Sequence, residues 1–333
     1  MWEVVIEIPE NYTGCGGVSR MIRLVMELPR WAKCSGGIAH TKELADELEC
    51  HLRIQRGPVE GLDLPYTIGL PDSTFPRCEW AITYSDNPHI KEFMELKQVK
   101  NKAIMMLSYG MCLARETPNV LTPGLKVMCS TTKIKKAIEA DGGKAENVGF
   151  GFDSSVWYPE EVERQKYALV MYHSSPDKNY QLAVDVAEKL VIKGLVKGIV
   201  TFGKSDGWSG AKKPRHHKAH YPDADVATLR KVYSESGIFI MPSKTEGLNL
   251  TPIEATLCGC PSIICDGAWD DVYYSGLNCF RADPTFDDVY RQCEGLLQGY
   301  NYHQPIFFDF MKEQMKQHTW EKTAEKVIKC LSV

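Results

Sequence analysis

Residues Pro242–Ala268, PSKTEGLNLTPIEATLCGCPSIICDGA, decide how this chain is read. Two glutamates, Glu246 and Glu254, stand eight positions apart; Gly247 follows the first and Pro252 shortly precedes the second. The apolar run Gly237–Met241 comes before the stretch, and a second, Pro261–Cys265, closes it. Between them Pro252–Cys258 is expected to be a short helix, because proline suits a first turn and Gly259 supplies the stop. The order is strand, loop with an acid, helix with an acid, strand.

A loop that leaves the carboxyl end of a parallel strand and opens a helix presents unpaired backbone N–H groups, which suit a phosphate. The two acids then stand ready to accept from vicinal hydroxyls on either side of it, one pair on a sugar and the other on a ribose. Taken alone, an acid at Glu254 would only favour the helix dipole. The flanking pattern gives the pair its meaning.

Working outward, strand-length apolar runs alternate with helical patterns, the mark of βα units and parallel sheets. Strands are expected at Met21–Leu28, His51–Gln55, Glu79–Tyr84, Ala103–Leu107, Leu125–Cys129, Tyr167–Tyr172 and Gly198–Phe202, where Gly203 ends the last. Helices are expected from Gly36 to Glu49, Thr131 to Ala140, after Lys178 to Lys189, Asp225 to Ser234, Phe286 to Leu297, and within Phe307–Leu331. Residues 204–221 are read as a loop carrying the basic run KKPRHHK, and residues 1–20 as an added edge strand pairing with Met21–Leu28.

Composition agrees with an ordinary globular protein: 333 residues, 44% hydrophobic and 25% charged, enough for about two domains. A net charge of −4 gives no global attraction to nucleic acid or to an anionic membrane. The 12 cysteines lack paired zinc spacing and read as free thiols. His216, His217 and His220 lack ligand spacing, so no metal site is expected. No stretch approaches about 18 apolar residues, the length of a spanning helix, and no leader pattern opens the chain, so a cytoplasmic location is expected.

The pattern PS-x-x-EG-L-x-L-x-P-x-EA-x-x-CG-x-P resembles the Glu-x7-Glu signature of the retaining GT-B glycosyltransferases, the family-four group. Met21–Arg56, with SGGIAHTKELADEL inside it, is similar to the first strand, glycine-rich loop and helix of their first domain. Val148–Asp153 with Trp157-Tyr158-Pro159 is similar to their crossover between domains. The resemblance implies an α/β fold, GT-B, with two Rossmann-like β/α/β domains facing across a cleft. Residues 1–155 would be the acceptor-side domain, 156–305 the nucleotide-sugar donor domain, and 306–333 a helix packing back toward the first.

The same resemblance assigns roles. Lys178 matches a lysine that meets the diphosphate leaving group, and His173 stands where the family has arginine. Glu246 would lie against the donor sugar and Glu254 would accept from the ribose. Leu250 and Thr251 would offer backbone N–H groups to phosphate, with Gly203 and Gly247 beside them in the donor site. Asn249 replaces a common glycine, a change eased by asparagine's tolerance of left-handed backbone. Gly36 and Gly37 would form an acceptor or phosphate loop. Where relatives carry a first-domain histidine, this chain has Ser108 and Tyr109, so Tyr109 joins Glu246 and Lys178 as the expected catalytic set, with His89 as a fallback.

The implied activity is transfer of a sugar from a nucleoside diphosphate sugar to an acceptor hydroxyl, with retention, without cofactor or catalytic metal. The acceptor stays open between a glycan, a small molecule and modified DNA. Two other readings stand beside it: a sugar-nucleotide epimerase of the same fold, and a catalytically silent nucleotide-sugar-binding protein.

Overall fold

The computed structural model describes residues 24–28, 36–48, 50–54, 66–68, 78–84, 90–107, 121–203, 212–247, 249–265, 272–273, 275–299 and 305–332. They form two compact units, one drawn from residues 1–151 and 318–333 and the other from residues 152–317. Each is a parallel sheet with helices.

The first unit contains β1 (Leu24–Leu28), α1 (Gly36–Glu47), β2 (His51–Ile54), β3 (Tyr66–Ile68), β4 (Cys78–Tyr84), α2 (Ile90–Glu95), β5 (Val99–Met106), β6 (Leu125–Cys129), α3 (Thr132–Ala140) and β7 (Glu146–Asn147). Its strands lie in the order β3-β2-β1-β4-β5-β6-β7, all parallel. The last four residues of β4 and of β5 are buried, as expected where helices cover both faces of a sheet. Thr131 starts α3 by accepting from the Ile134 N–H at 3.1 Å.

The second unit contains β8 (Tyr167–Tyr172), α4 (Tyr180–Ile192), β9 (Ile199–Gly203), β10 (His217–Pro222), α5 (Val226–Glu235), β11 (Ser236–Met241), α6 (Thr251–Leu257), β12 (Ser262–Cys265), β13 (Phe280–Ala282), α7 (Phe286–Gly299) and α8 (Pro305–Met315). Its strand order is β10-β9-β8-β11-β12-β13, again all parallel. All of β11 and β12 is buried, which is why SGIFIM and SIIC are nearly unbroken apolar runs. Val170, Ile199, Ile238, Ile240 and Ile263 meet Ala183, Val186 and Leu190 of α4 to form the core on one face.

Each sheet therefore runs outward from its first strand, then returns to the other side of it. In the second unit the reversal falls between β8 and β11. The loops leaving these two strands diverge over opposite faces, and the space beyond their carboxyl ends is where ligands bind in open α/β sheets.

Three differences from the sequence reading appear among the described residues. The segment read as a loop at 204–221 contains β10, an edge strand whose side chains need not be apolar because one flank is open. The single C-terminal helix expected at 306–333 is two: α8 lies in the second unit, and α9 (Trp320–Leu331) in the first. Thr319 caps the new start by accepting from the Lys322 N–H at 3.4 Å, and Ala324, Val327 and Leu331 bury against Leu44, Ala45 and Met128. Here Gly151 is required by packing, since a Cβ would fall 1.9 Å from the Trp320 ring. The short β3, β13 and α2 were not anticipated. The expected strand at 1–20 lies outside the described residues, but β1, its intended partner, already has β2 on one edge and β4 on the other.

Candidate functional site

Lys178 and Glu246 come from the two loops that diverge at the reversal. After β8 the chain passes His173 and makes one turn of 3-10 helix, Pro176–Lys178, capped by Ser175. Asn179 ends that turn in the left-handed region, at φ 52°, a conformation asparagine tolerates. After β11 the chain reaches Glu246. The Lys244 N–H donates to the Asp177 carbonyl at 2.7 Å and ties the loops together.

The Lys178 ammonium donates to both carboxylate oxygens of Glu246, at 2.5 and 2.6 Å. The side chains are 14% and 3% exposed, so the pair is largely removed from water. Lysine has three N–H groups, and two are used here. Among the described residues, the third and the remaining lone pairs on Glu246 take no other partner. One cluster thus presents a positive donor beside a set of negative acceptors. Ser243, fully buried just before it, has a hydroxyl with no hydrogen-bond partner among the described residues.

Glu254 lies in the first turn of α6. Its Oε2 accepts from the Tyr233 hydroxyl at 3.0 Å. Burial pushes its carboxyl up to about 7, and the tyrosine hydrogen bond opposes that rise. Tyr233, on α5, was not picked out from the sequence; only the packing of α5 beside α6 makes it a neighbour of Glu254.

The loop between the acids departs from expectation at Asn249. Its backbone is not left-handed. Instead its buried side chain accepts from the Thr251 N–H at 3.2 Å and the Thr251 hydroxyl at 2.8 Å. The side-chain amide donates to Met241 Sδ at 3.1 Å, and the Tyr273 hydroxyl donates to the Asn249 carbonyl. The Thr251 N–H expected to face a phosphate is thus engaged by Asn249. Leu250 precedes the first residue of α6, and its carbonyl accepts from Glu254 N–H at 3.0 Å.

Gly203 ends β9 with φ 155°, and a Cβ there would sit 2.3 Å from the Tyr172 carbonyl oxygen. No other residue fits so close to β8. His173 Nδ1 accepts from the Ser175 N–H at 3.0 Å, which ties the ring to its own loop.

Gly203, His173, Lys178, Gly247 and Glu246 thus stand at or just beyond the carboxyl ends of β9, β8 and β11, and Glu254 follows on α6. Gly36 and Gly37 open α1 of the first unit, which follows β1. Tyr109, Ser108 and His89 lie outside the described residues. In the basic segment, Glu188 receives the Arg215 and His216 N–H groups and contacts the His216 ring. Thr201 Oγ1 meets His217 Nε2 at 3.3 Å and His220 Nδ1 at 2.9 Å. Among the described residues no three His, Cys, Asp or Glu side chains gather as for a metal ion. No helix among them is long and apolar enough to cross a membrane.

Residues 169–298, all within the second unit, match the family described as Glycosyl transferases group 1. No curated protein matches the chain by sequence. Among solved structures it is similar to the sucrose-phosphate synthase of Thermosynechococcus elongatus, at TM-score 0.75 and 12% identity over 92% of this chain and 98% of the other. It is similar to Anabaena HepE in complex with UDP-glucose, at TM-score 0.75 and 10% identity over 93% and 99%. A glycosyltransferase from Rickettsia africae gives TM-score 0.72 and 14% identity over 94% and 98%. At these identities the likeness is one of fold.

Proposed function

We propose, for a chain whose residues 169–298 are a Glycosyl transferases group 1 domain in a GT-B fold, transfer of a sugar from a nucleoside diphosphate sugar to an acceptor hydroxyl with retention of configuration. The chain is a nucleotide-sugar-dependent glycosyltransferase. The observation that carries the finer reading is the buried Lys178–Glu246 pair at the β8/β11 reversal. A sugar diphosphate is anionic at one end and rich in hydroxyl donors at the other, and the pair offers the complement of each.

In this reading the ribose hydroxyls donate to Glu254 and the sugar hydroxyls to Glu246, while the third Lys178 N–H donates to the diphosphate. As the bond from the anomeric carbon to the phosphate oxygen lengthens, negative charge grows on the diphosphate and positive charge on the sugar ring. Lys178 meets the first from a position already fixed, so it adds little reorganisation at the moment of reaction. Glu246, beside the sugar, favours the second. The acceptor hydroxyl attacks from the face the diphosphate is leaving, and its proton passes to the departing phosphate oxygen. Retention follows from that same-face attack. The UDP-glucose bound by HepE makes uridine nucleotides the first donors to try.

The test is a thermal-shift and calorimetric survey with UDP, GDP, ADP and their sugars, followed by transfer assays with the donor that binds. Ligand linkage raises the melting temperature for a specific binder. Nucleotide release that depends on acceptor, with the product anomer matching the donor by NMR, supports the reading. Binding without transfer or hydrolysis opposes it.

A further inference from the structure

We propose that Tyr233 is a positioning residue for the donor nucleotide, its hydroxyl holding one oxygen of Glu254 so that the carboxylate faces the ribose. The inference rests on the assignment of Glu254 to the ribose hydroxyls. Tyr233 sits near the end of α5 and Glu254 in the first turn of α6, helices that flank β11 in sequence and pack together. Tyr233 has no exposed surface. Its ring centroid lies 5.8 Å from that of Trp157, 5.6 Å from Phe202 and 6.3 Å from Phe239, so aromatic neighbours hold the ring. Phenylalanine would fill the same space. The hydroxyl is therefore not explained by packing, and its hydrogen bond at 3.0 Å is made to Glu254 Oε2.

That bond does two things. It fixes the rotation of the carboxyl, and it favours the ionised form against the burial that pushes Glu254 up to about 7. An ionised carboxylate accepts at both oxygens, as a pair of vicinal hydroxyls requires, whereas a protonated one gives up part of that capacity. Among the described residues, the other titratable or charged groups around the pair include the Cys258 and Cys260 thiols, both raised by burial, with Arg230 acting on the first and Arg164 on the second. The Arg230 guanidinium is held by Glu160 and lies over the Tyr158 ring.

The experiment measures the dissociation constant of UDP, GDP or ADP, whichever binds the parent tightest, by calorimetry from pH 5.5 to 9. It compares the parent, Tyr233→Phe, Glu254→Gln and the double variant; Glu254→Gln removes the phosphate's own titration from the comparison. Where Glu254 is protonated, affinity should fall about tenfold per pH unit. Tyr233→Phe should move that fall to higher pH and weaken binding about 3–10-fold near neutrality, the scale of one hydrogen bond. It should change nothing further once Glu254 is Gln. KM for the donor should rise while kcat holds. A Tyr233→Phe protein with the parent's profile, or one that loses as much affinity in the Glu254→Gln background, overturns the proposal and leaves the ribose assignment standing. A Glu254→Gln protein that binds like the parent brings both down. If Tyr233→Phe does not fold, parent protein grown with 3-fluorotyrosine replaces it. The fluorinated phenol is a stronger donor, so the fall should move to lower pH, and an unmoved midpoint overturns the proposal.

Discussion

Replacing Lys178 with methionine keeps the length of the side chain and removes its charge, and the cost should appear in stability as well as in activity. The ammonium lies 2.5 and 2.6 Å from the two Glu246 oxygens, with the side chains 14% and 3% exposed. At an effective dielectric of about 20, two unit charges about 4 Å apart attract by about 4 kcal/mol. Desolvation of both groups offsets most of that, so the intact pair adds little net stability. Removing one partner is different, because it leaves a buried charge uncompensated at a cost of about 3–5 kcal/mol. Lys178 keeps some solvent, which puts Lys178→Met near the lower end, about 3 kcal/mol. For a unit of this size that lowers its melting temperature by roughly 6–12 °C. Lys178→Met with Glu246→Gln removes both charges and should recover about 1–3 kcal/mol relative to the sum of the single losses. Urea unfolding and scanning calorimetry on the four proteins measure this directly. Losses that add to within about 0.5 kcal/mol would refute the coupling. So would a Lys178→Met protein as stable as the parent.

Gly203→Ala should cost about 1–3 kcal/mol in urea unfolding, because its Cβ would lie 2.3 Å from the Tyr172 carbonyl oxygen; a neutral change would contradict that crowding. His173→Ala should leave the pH profile of turnover parallel to the parent's, since Nδ1 is already taken as an acceptor by the Ser175 N–H. A limb of the parent profile that disappears in the variant would contradict it. Glu254 also makes stability depend on pH. Its carboxyl is raised from 4.5 to about 7, so the folded protein holds the proton more tightly than the unfolded chain. Its contribution is full below about 4.5 and is lost as pH rises through about 7, up to about 3 kcal/mol. The difference in unfolding free energy between parent and Glu254→Gln should fall across that window. A flat difference counts against the buried carboxyl.

What the sequence disclosed follows from how each element is held. The runs that became β8, β11 and β12 were legible because strands buried on both faces must be apolar throughout. β10, with the sequence HKAHYP, was not, because an edge strand carries polar side chains and is fixed by its pairing to β9. β3 and β13, each of three residues, are too short for any period to show. Within the site, Lys178 and Glu246 were each named from their local patterns, yet nothing in those patterns says that they pair across 68 positions. Asn249 could be read from sequence only as a backbone conformer, whereas its side chain turned out to accept from the Thr251 N–H and hydroxyl. Tyr233 left no sign at all, since its partner stands 21 positions away and only the packing of two helices joins them.

The division of labour between the two glutamates is tested most directly by calorimetry of Glu254→Gln and Glu246→Gln, each with a nucleoside diphosphate and with the matching nucleotide sugar. Glu254→Gln should weaken both ligands alike, by about 1–3 kcal/mol. Glu246→Gln, which keeps a hydrogen-bonding group beside Lys178, should spare the bare nucleotide and weaken the nucleotide sugar. Equal losses of bare nucleotide in the two variants, or none in Glu254→Gln, would contradict the account.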